Sequence, residues 1–191
     1  WKDVNHQRHF FDWLGKNLGI KQLDDWYEHL SIKLLESNGG GPILDMYGSP
    51  TAALCSIYPD HTWLPWKFKS VPNRYWSDKN HHKQFFDWLG QQLGIKELDD
   101  WYAHLSQKTI HDFGGIGLLA CYGNSPIAAI MSVYPHHQWK MWKFHNTRRD
   151  FWSDLENQRQ YFDWLGEQLG VKHWEDWYDK LSQKVVYDYG G

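Results

Sequence analysis

One eighteen-residue phrase occurs three times, and it limits the possible folds more than any other feature. It reads FFDWLGKNLGIKQLDDWY at residues 10–27, FFDWLGQQLGIKELDDWY at 85–102 and YFDWLGEQLGVKHWEDWY at 161–178. Trp1, Trp76 and Trp152 stand at equivalent positions, so the period is 75 residues and then 76. The additional residue falls near Asn124, in a Gly-Asn turn, where a loop takes an insertion and a helix does not. A fixed period of this length marks tandem units that pack on their neighbours. The expected units are residues 1–75, 76–151 and, as the first half of a third, 152–191. Gly190-Gly191 matches Gly39-Gly40 and Gly114-Gly115, so the expectation is a piece of a longer array, or an array capped by its last half-unit.

Each unit reads as four or five short helices, and the fold class expected is all-α. In the second copy Ser77 or Asp78 caps a helix whose apolar face is Phe85, Phe86, Leu89 and Leu93, and Gly94 ends it. Gly15, Gly90 and Gly166 lie inside this helix, where glycine costs about 1 kcal/mol relative to alanine; their recurrence points to close approach of another backbone. A second segment starts near Leu98 or Asp99, where the acid pairs Asp24-Asp25, Asp99-Asp100 and Glu175-Asp176 suit a helix N-terminus. Ser106 caps a short helix, Gly117-Leu118-Leu119 opens another, and Ser125-Pro126 starts one that Pro135 stops. No segment alternates like a strand. The core is aromatic: fourteen Trp in the chain supply large buried areas, so few are needed per unit to offset chain entropy.

Cys55 and Cys121 fall at different places in the repeat, which excludes a repeated disulfide or metal framework and reads them as small core hydrophobes. A reducing, intracellular setting follows, nuclear or organellar included. No apolar run is long enough to span a bilayer, and no signal peptide is visible.

The net charge is −3, which excludes a global basic field, but charge is unevenly placed. Residues 61–74 carry Lys67, Lys69 and Arg74 and no acid; residues 136–149 carry Lys140, Lys143, Arg148 and Arg149 and no acid. These windows hold +3 and +4, leaving −10 for the rest of the chain. The same windows hold WLPWKF (63–68) and WKMWKF (139–144). Cations interleaved with rings suit nucleic acid, since Lys and Arg neutralise phosphates while aromatics stack on bases. The candidate contacts are Lys67, Lys69, Arg74, Lys140, Lys143, Arg148 and Arg149, assisted by Trp66 and Trp142. The competing reading makes Trp-x-x-Trp two rings on one helical face, packed between units, with the lysines on a solvated linker. The Ser-Pro helices, 50–58 and 126–134, carry no Lys, Arg, Asn or Gln and so read as core rather than recognition helices. The polar helix start, Asn80, His81, His82, Lys83 and Gln84, is a further place for contact.

Twelve histidines do not make a repeated metal site, because Lys180 stands where His29 and His104 do, and His136, His137 and His145 read as surface or capping residues. There is no nucleophile elbow, P-loop or dinucleotide glycine motif, so neither an enzyme nor a cofactor is expected.

The pattern FFDWLG…GIK…DDWY…GG.GLL…Y..SP..A….YP.H.W..WKF resembles a Trp-rich tandem repeat of eukaryotic proteins, mostly without a characterised activity. The resemblance covers the whole chain. The helical order is also loosely similar to the short repeats that accompany homing endonucleases, which implies contact with DNA rather than RNA. The other class of function expected is a protein-interaction scaffold, with a partner that meets the acidic remainder.

Overall fold

The structure is a computed structural model and describes residues 1–191 other than Asn73, Asn146 and Arg148, with the side chain of Arg149 also outside the description. The described residues form α-helices and short 3-10 turns, with no strand among them. Three helices of fifteen residues, Val4–Leu18, Lys79–Leu93 and Leu155–Leu169, carry the repeated phrase. Their N-caps are aspartates rather than serines. Asp3, Asp78 and Asp154 accept from Asn5 N, Asn80 N and Glu156 N at 2.8–2.9 Å. Left-handed glycines end them: Gly19, Gly94 and Gly170 have φ of 75°, 71° and 63°.

The glycines inside these helices face a ring, not a backbone. A Cβ on Gly15 would meet Trp26 Cζ2 at 3.3 Å; on Gly90, Trp101 at 3.3 Å; on Gly166, Trp177 at 3.1 Å. The expected backbone approach is therefore replaced by the indole of the following short helix, which needs a flat, empty helix surface to lie on.

The second acid of each pair builds the turn between these elements. Asp25 Oδ2 accepts from Lys21 N and Gln22 N at 2.8 and 3.1 Å, and Asp100 and Asp176 repeat the arrangement on Lys96 and Glu97, and on Lys172 and His173. These backbone N–H groups hold each carboxyl below the ordinary aspartate range. A depressed folded pKa contributes stability above the unfolded value, near 3.9, and that contribution is lost as pH falls through the lower folded value. Replacing Asp25, Asp100 and Asp176 by Asn is expected to flatten the fall of melting temperature between about pH 4 and pH 2. Circular dichroism measures it; an unchanged slope removes these carboxylates from the acid response.

The chain folds as two compact units whose limits cut across the sequence copies. One is Trp1–Leu89 with Gln107–Ser125; the other is Gly90–Ser106 with Pro126–Gly191. In the first, Phe11, Leu14, Trp26, Tyr27, Leu30 and Leu35 pack with Ala53, Leu54 and Ile57 of the Ser-Pro helix Pro50–Ile57 and with Phe68. That helix is core, as its bare apolar sequence requires. Its end is tied to the first helix: Tyr58 Oη donates to Asp12 Oδ1 at 2.6 Å, and Arg8 Nη2 donates to Ile57 O at 2.8 Å. Burial, then the Asp12 hydrogen bond, pushes the Tyr58 phenol well above its usual range. In the second unit Trp142, Tyr161 and Leu165 form a core with Trp152, Trp164, Trp177, Val185 and Val186 around them.

A polar brace accompanies each long helix. Gln7, 1% exposed, donates to Trp1 O and accepts from Tyr47 Oη; Gln158 donates to Trp152 O. His82, 4% exposed, fills this role in the middle helix: its Nε2–H donates to Trp76 O at 2.9 Å, leaving Nδ1 to accept from Tyr122 Oη at 2.7 Å. The polar helix start is thus not a free contact face at His82. His81 also turns inward, onto Tyr75, with rings stacked at 3.9 Å and its Nδ1 on Tyr75 O. Asn124 takes the left-handed turn at φ 60°, which asparagine tolerates, where the sequence carries its additional residue.

Candidate functional site

The W-x-x-W-K-F segments bring Lys67, Lys140 and Lys143 into the fold. Each is extended except for one 3-10 turn, Pro65–Lys67 or Met141–Lys143. With no continuous helix, the two tryptophans do not share a face. Trp63 and Phe68 pack on Tyr27, with ring centroids at 5.8 and 4.6 Å. Trp66 turns the other way, onto Trp76, Phe85 and Trp88 at 6.4, 5.5 and 5.4 Å. The second unit repeats this: Trp139 and Phe144 meet Tyr102 at 5.6 and 4.6 Å, and Trp142 meets Tyr161 and Trp164 at 5.5 and 5.4 Å. Backbone bonds set the register. Tyr27 Oη accepts from Leu64 N at 2.8 Å, and Tyr102 Oη from Lys140 N at 2.7 Å. Gly114 and Gly190 receive the far side of each staple, since their backbones lie against the carbonyls of Trp66 and Trp142.

Trp66 and Trp142 are only 4% and 9% exposed, so neither ring is free to stack on a base. That part of the expected nucleic-acid contact is corrected: a 3-10 turn aims the middle tryptophan into the following helix. Lys67 lies over Tyr27 and Trp88, its Nζ at 5.6 and 5.4 Å from the ring centroids. Lys143 lies over Tyr102 and Trp164 at 5.3 and 5.9 Å and bonds Asp99 Oδ2 at 3.4 Å. Lys69 pairs with Glu28 at 3.7 Å. Arg74 is exposed with left-handed backbone, φ 61°, and Lys140 is half-buried. Arg148 and the side chain of Arg149 fall outside the described residues.

The basic windows therefore sit against acids of their own copy. His61 Nε2 bonds Asp24 at 2.9 Å, and His137 Nε2 bonds Asp99 at the same distance. These partners were not read as such in the sequence, where Asp24 and Asp99 pass for helix-start acids. The signal is present: an Asp and a Tyr-Pro-x-His or Tyr-Pro-His-His histidine recur together, 37 and 38 residues apart. Two grooves separate the cations of the first window. Lys67 opens on one of about 370 Å³ with Asp24, Glu28, Trp88, Asp112 and Phe113. Lys69 and Arg74 line another, of about 580 Å³, with Tyr75, Trp76 and Ser77.

Cys55 is half-buried, and burial pushes its thiol up to about 11, which keeps it protonated at neutral pH. Cys121 is exposed, not a core residue as expected; its Sγ lies 3.5 Å from Trp76 O. Among the described residues no three His, Cys, Asp or Glu side chains converge as metal ligands. Among them, too, no helix is long and apolar enough to cross a membrane. No family model, curated protein or solved structure matches the chain.

Proposed function

We propose that the chain is a non-catalytic protein-interaction scaffold of tandem units of about 75 residues, each joined to the next by a W-x-x-W-K-F staple. The observation that carries this reading is the fate of the cations. Lys143 and Lys69 pair with Asp99 and Glu28, and Lys67 and Lys143 lie over rings of the same chain. Lys67 and Lys143 each lie over rings of two successive copies, and Lys69 and Lys143 are paired with an acid of their own copy. Exposed pairs of this kind add little stability, about 0–1 kcal/mol, so their value lies in neutralising the window.

A second reading, nucleic-acid binding with DNA preferred over RNA, draws on the first window. Lys69 and Arg74 line one groove beside Tyr75 and Trp76, and both cations are exposed. Titrating the chain against duplex DNA, single-stranded DNA and RNA at two salt concentrations separates the two readings. The scaffold predicts weak binding, unchanged in the double variant Lys69→Glu with Arg74→Glu. Affinity that falls steeply with salt, by a slope of about −0.9 per phosphate contact on duplex DNA, and that the double variant abolishes, selects the second reading.

A further inference from the structure

The larger groove of the first unit, of about 580 Å³, has the size of a small-molecule site. Lys69, Arg74 and Ser77 stand along it, and no Asp or Glu is among its described lining residues. Arg74 is exposed and forms no ion pair among the described residues. Lys69 keeps most of its side chain in solvent beside Glu28. Val71 and Pro72 give the groove an apolar wall, and Ile116, 59% exposed, stands open on it.

Arg74 is held against the preference of its backbone. Its φ is 61°, in the left-handed region where glycine is at ease and a long side chain is strained. Strain of this kind persists where the side chain has a use. The tandem framework does not supply that use. At the second-copy positions of Lys69 and Arg74 stand His145 and Asp150, so the repeat accepts an acid where the first copy carries the arginine. Trp66 and Trp76 also line the groove, and the Nε1 of each is buried with no hydrogen-bond partner. An N–H that no acceptor compensates leaves positive partial charge in the wall, of the same sign as the two cations.

We propose that this groove binds a small organic anion, a phosphate or carboxylate group carried on a flat apolar body. Arg74 and Lys69 hold its oxygens, and the planar guanidinium presents paired donors that match either group. The apolar body lies on Val71, Pro72 and Ile116. This site belongs to one copy rather than to the array. It rests on neither the scaffold reading nor the nucleic-acid reading, because a free anion needs no polymer.

Naphthyl phosphate and naphthoate, with neutral naphthol as the uncharged control, are titrated into the full isotope-labelled chain while NMR follows the indole N–H signals. Saturable binding of at least one anion is expected, with movement of the Trp76 signal, which Trp76→Phe identifies. Binding of the phosphate alone, or of both anions, names the group that the cations prefer. Naphthol is expected to bind at least about tenfold more weakly. Arg74→Gly removes the cation and relaxes the backbone, so it weakens the anion at least about tenfold while the melting temperature holds or rises. Lys69→Ala, at an exposed side chain, weakens the anion without touching the backbone. The proposal is overturned if neither anion saturates up to its solubility, or if naphthol binds as well as the anions do. It is also overturned if Arg74→Gly and Lys69→Ala both bind as the parent does. The nucleic-acid titration succeeds or fails independently, since the naphthyl compounds carry no polymer.

Discussion

Alanine at Trp66 will lower the stability of the chain by about 3–5 kcal/mol, the range of buried Trp and Phe truncations. The indole is 4% exposed and touches three rings, Trp76, Phe85 and Trp88, all in edge or tilted contact. Its removal opens a cavity in the segment that joins the first copy to the second, and Trp142→Ala does the same on Tyr161 and Trp164. A melting temperature about 10 °C or more below the parent is expected by circular dichroism. Trp66→Phe is expected to cost far less, because the buried Nε1 has no hydrogen-bond partner to lose. A base-stacking role makes the opposite prediction: Trp66→Ala would keep the melting temperature and weaken nucleic-acid binding. That outcome would remove Trp66 from the core.

Gly114→Ala is expected to destabilise by about 2–4 kcal/mol, and Gly190→Ala likewise in the second unit. Two penalties add. The backbone is left-handed, with φ of 90° and 87°, which costs a non-glycine residue about 1–2 kcal/mol. A Cβ would also run into the carbonyl of Trp66 or Trp142, which is backbone and cannot swing aside. Gly94→Ala is the internal control. Its φ is 71°, but nothing lies within 4 Å of the built Cβ, so only the conformational cost applies. Chemical denaturation of the three variants measures the difference. Equal losses at Gly114 and Gly94 would mean that the Trp66 carbonyl does not rest there.

The element order was legible along the chain because caps and breakers are local physics. Ser31, Ser49 and Ser182 accept from the backbone three residues on, as short-helix caps do, and Pro50 and Pro126 stand at the first helical position. Gly19, Gly94 and Gly170 end their helices because left-handed φ costs glycine nothing. Helical periodicity likewise placed Phe85, Phe86 and Leu89 inside, where all three are fully buried.

What the order of residues did not settle was where an aromatic ring goes when the backbone leaves a regular helix. Trp-x-x-Trp implies one face only at helical spacing; a single 3-10 turn between extended residues sends Trp63 back to Tyr27 and Trp66 forward to Phe85. The partners of the lysines were hidden for the same reason, since Asp99 and Lys143 meet across 44 residues of chain. Local sequence thus determined the helices and their caps. Tertiary structure alone decided that the middle tryptophan is a staple and that the neighbouring lysine lies over rings with an acid close by. Burial is a property of what packs on a residue, and that is written in segments far from it in the chain.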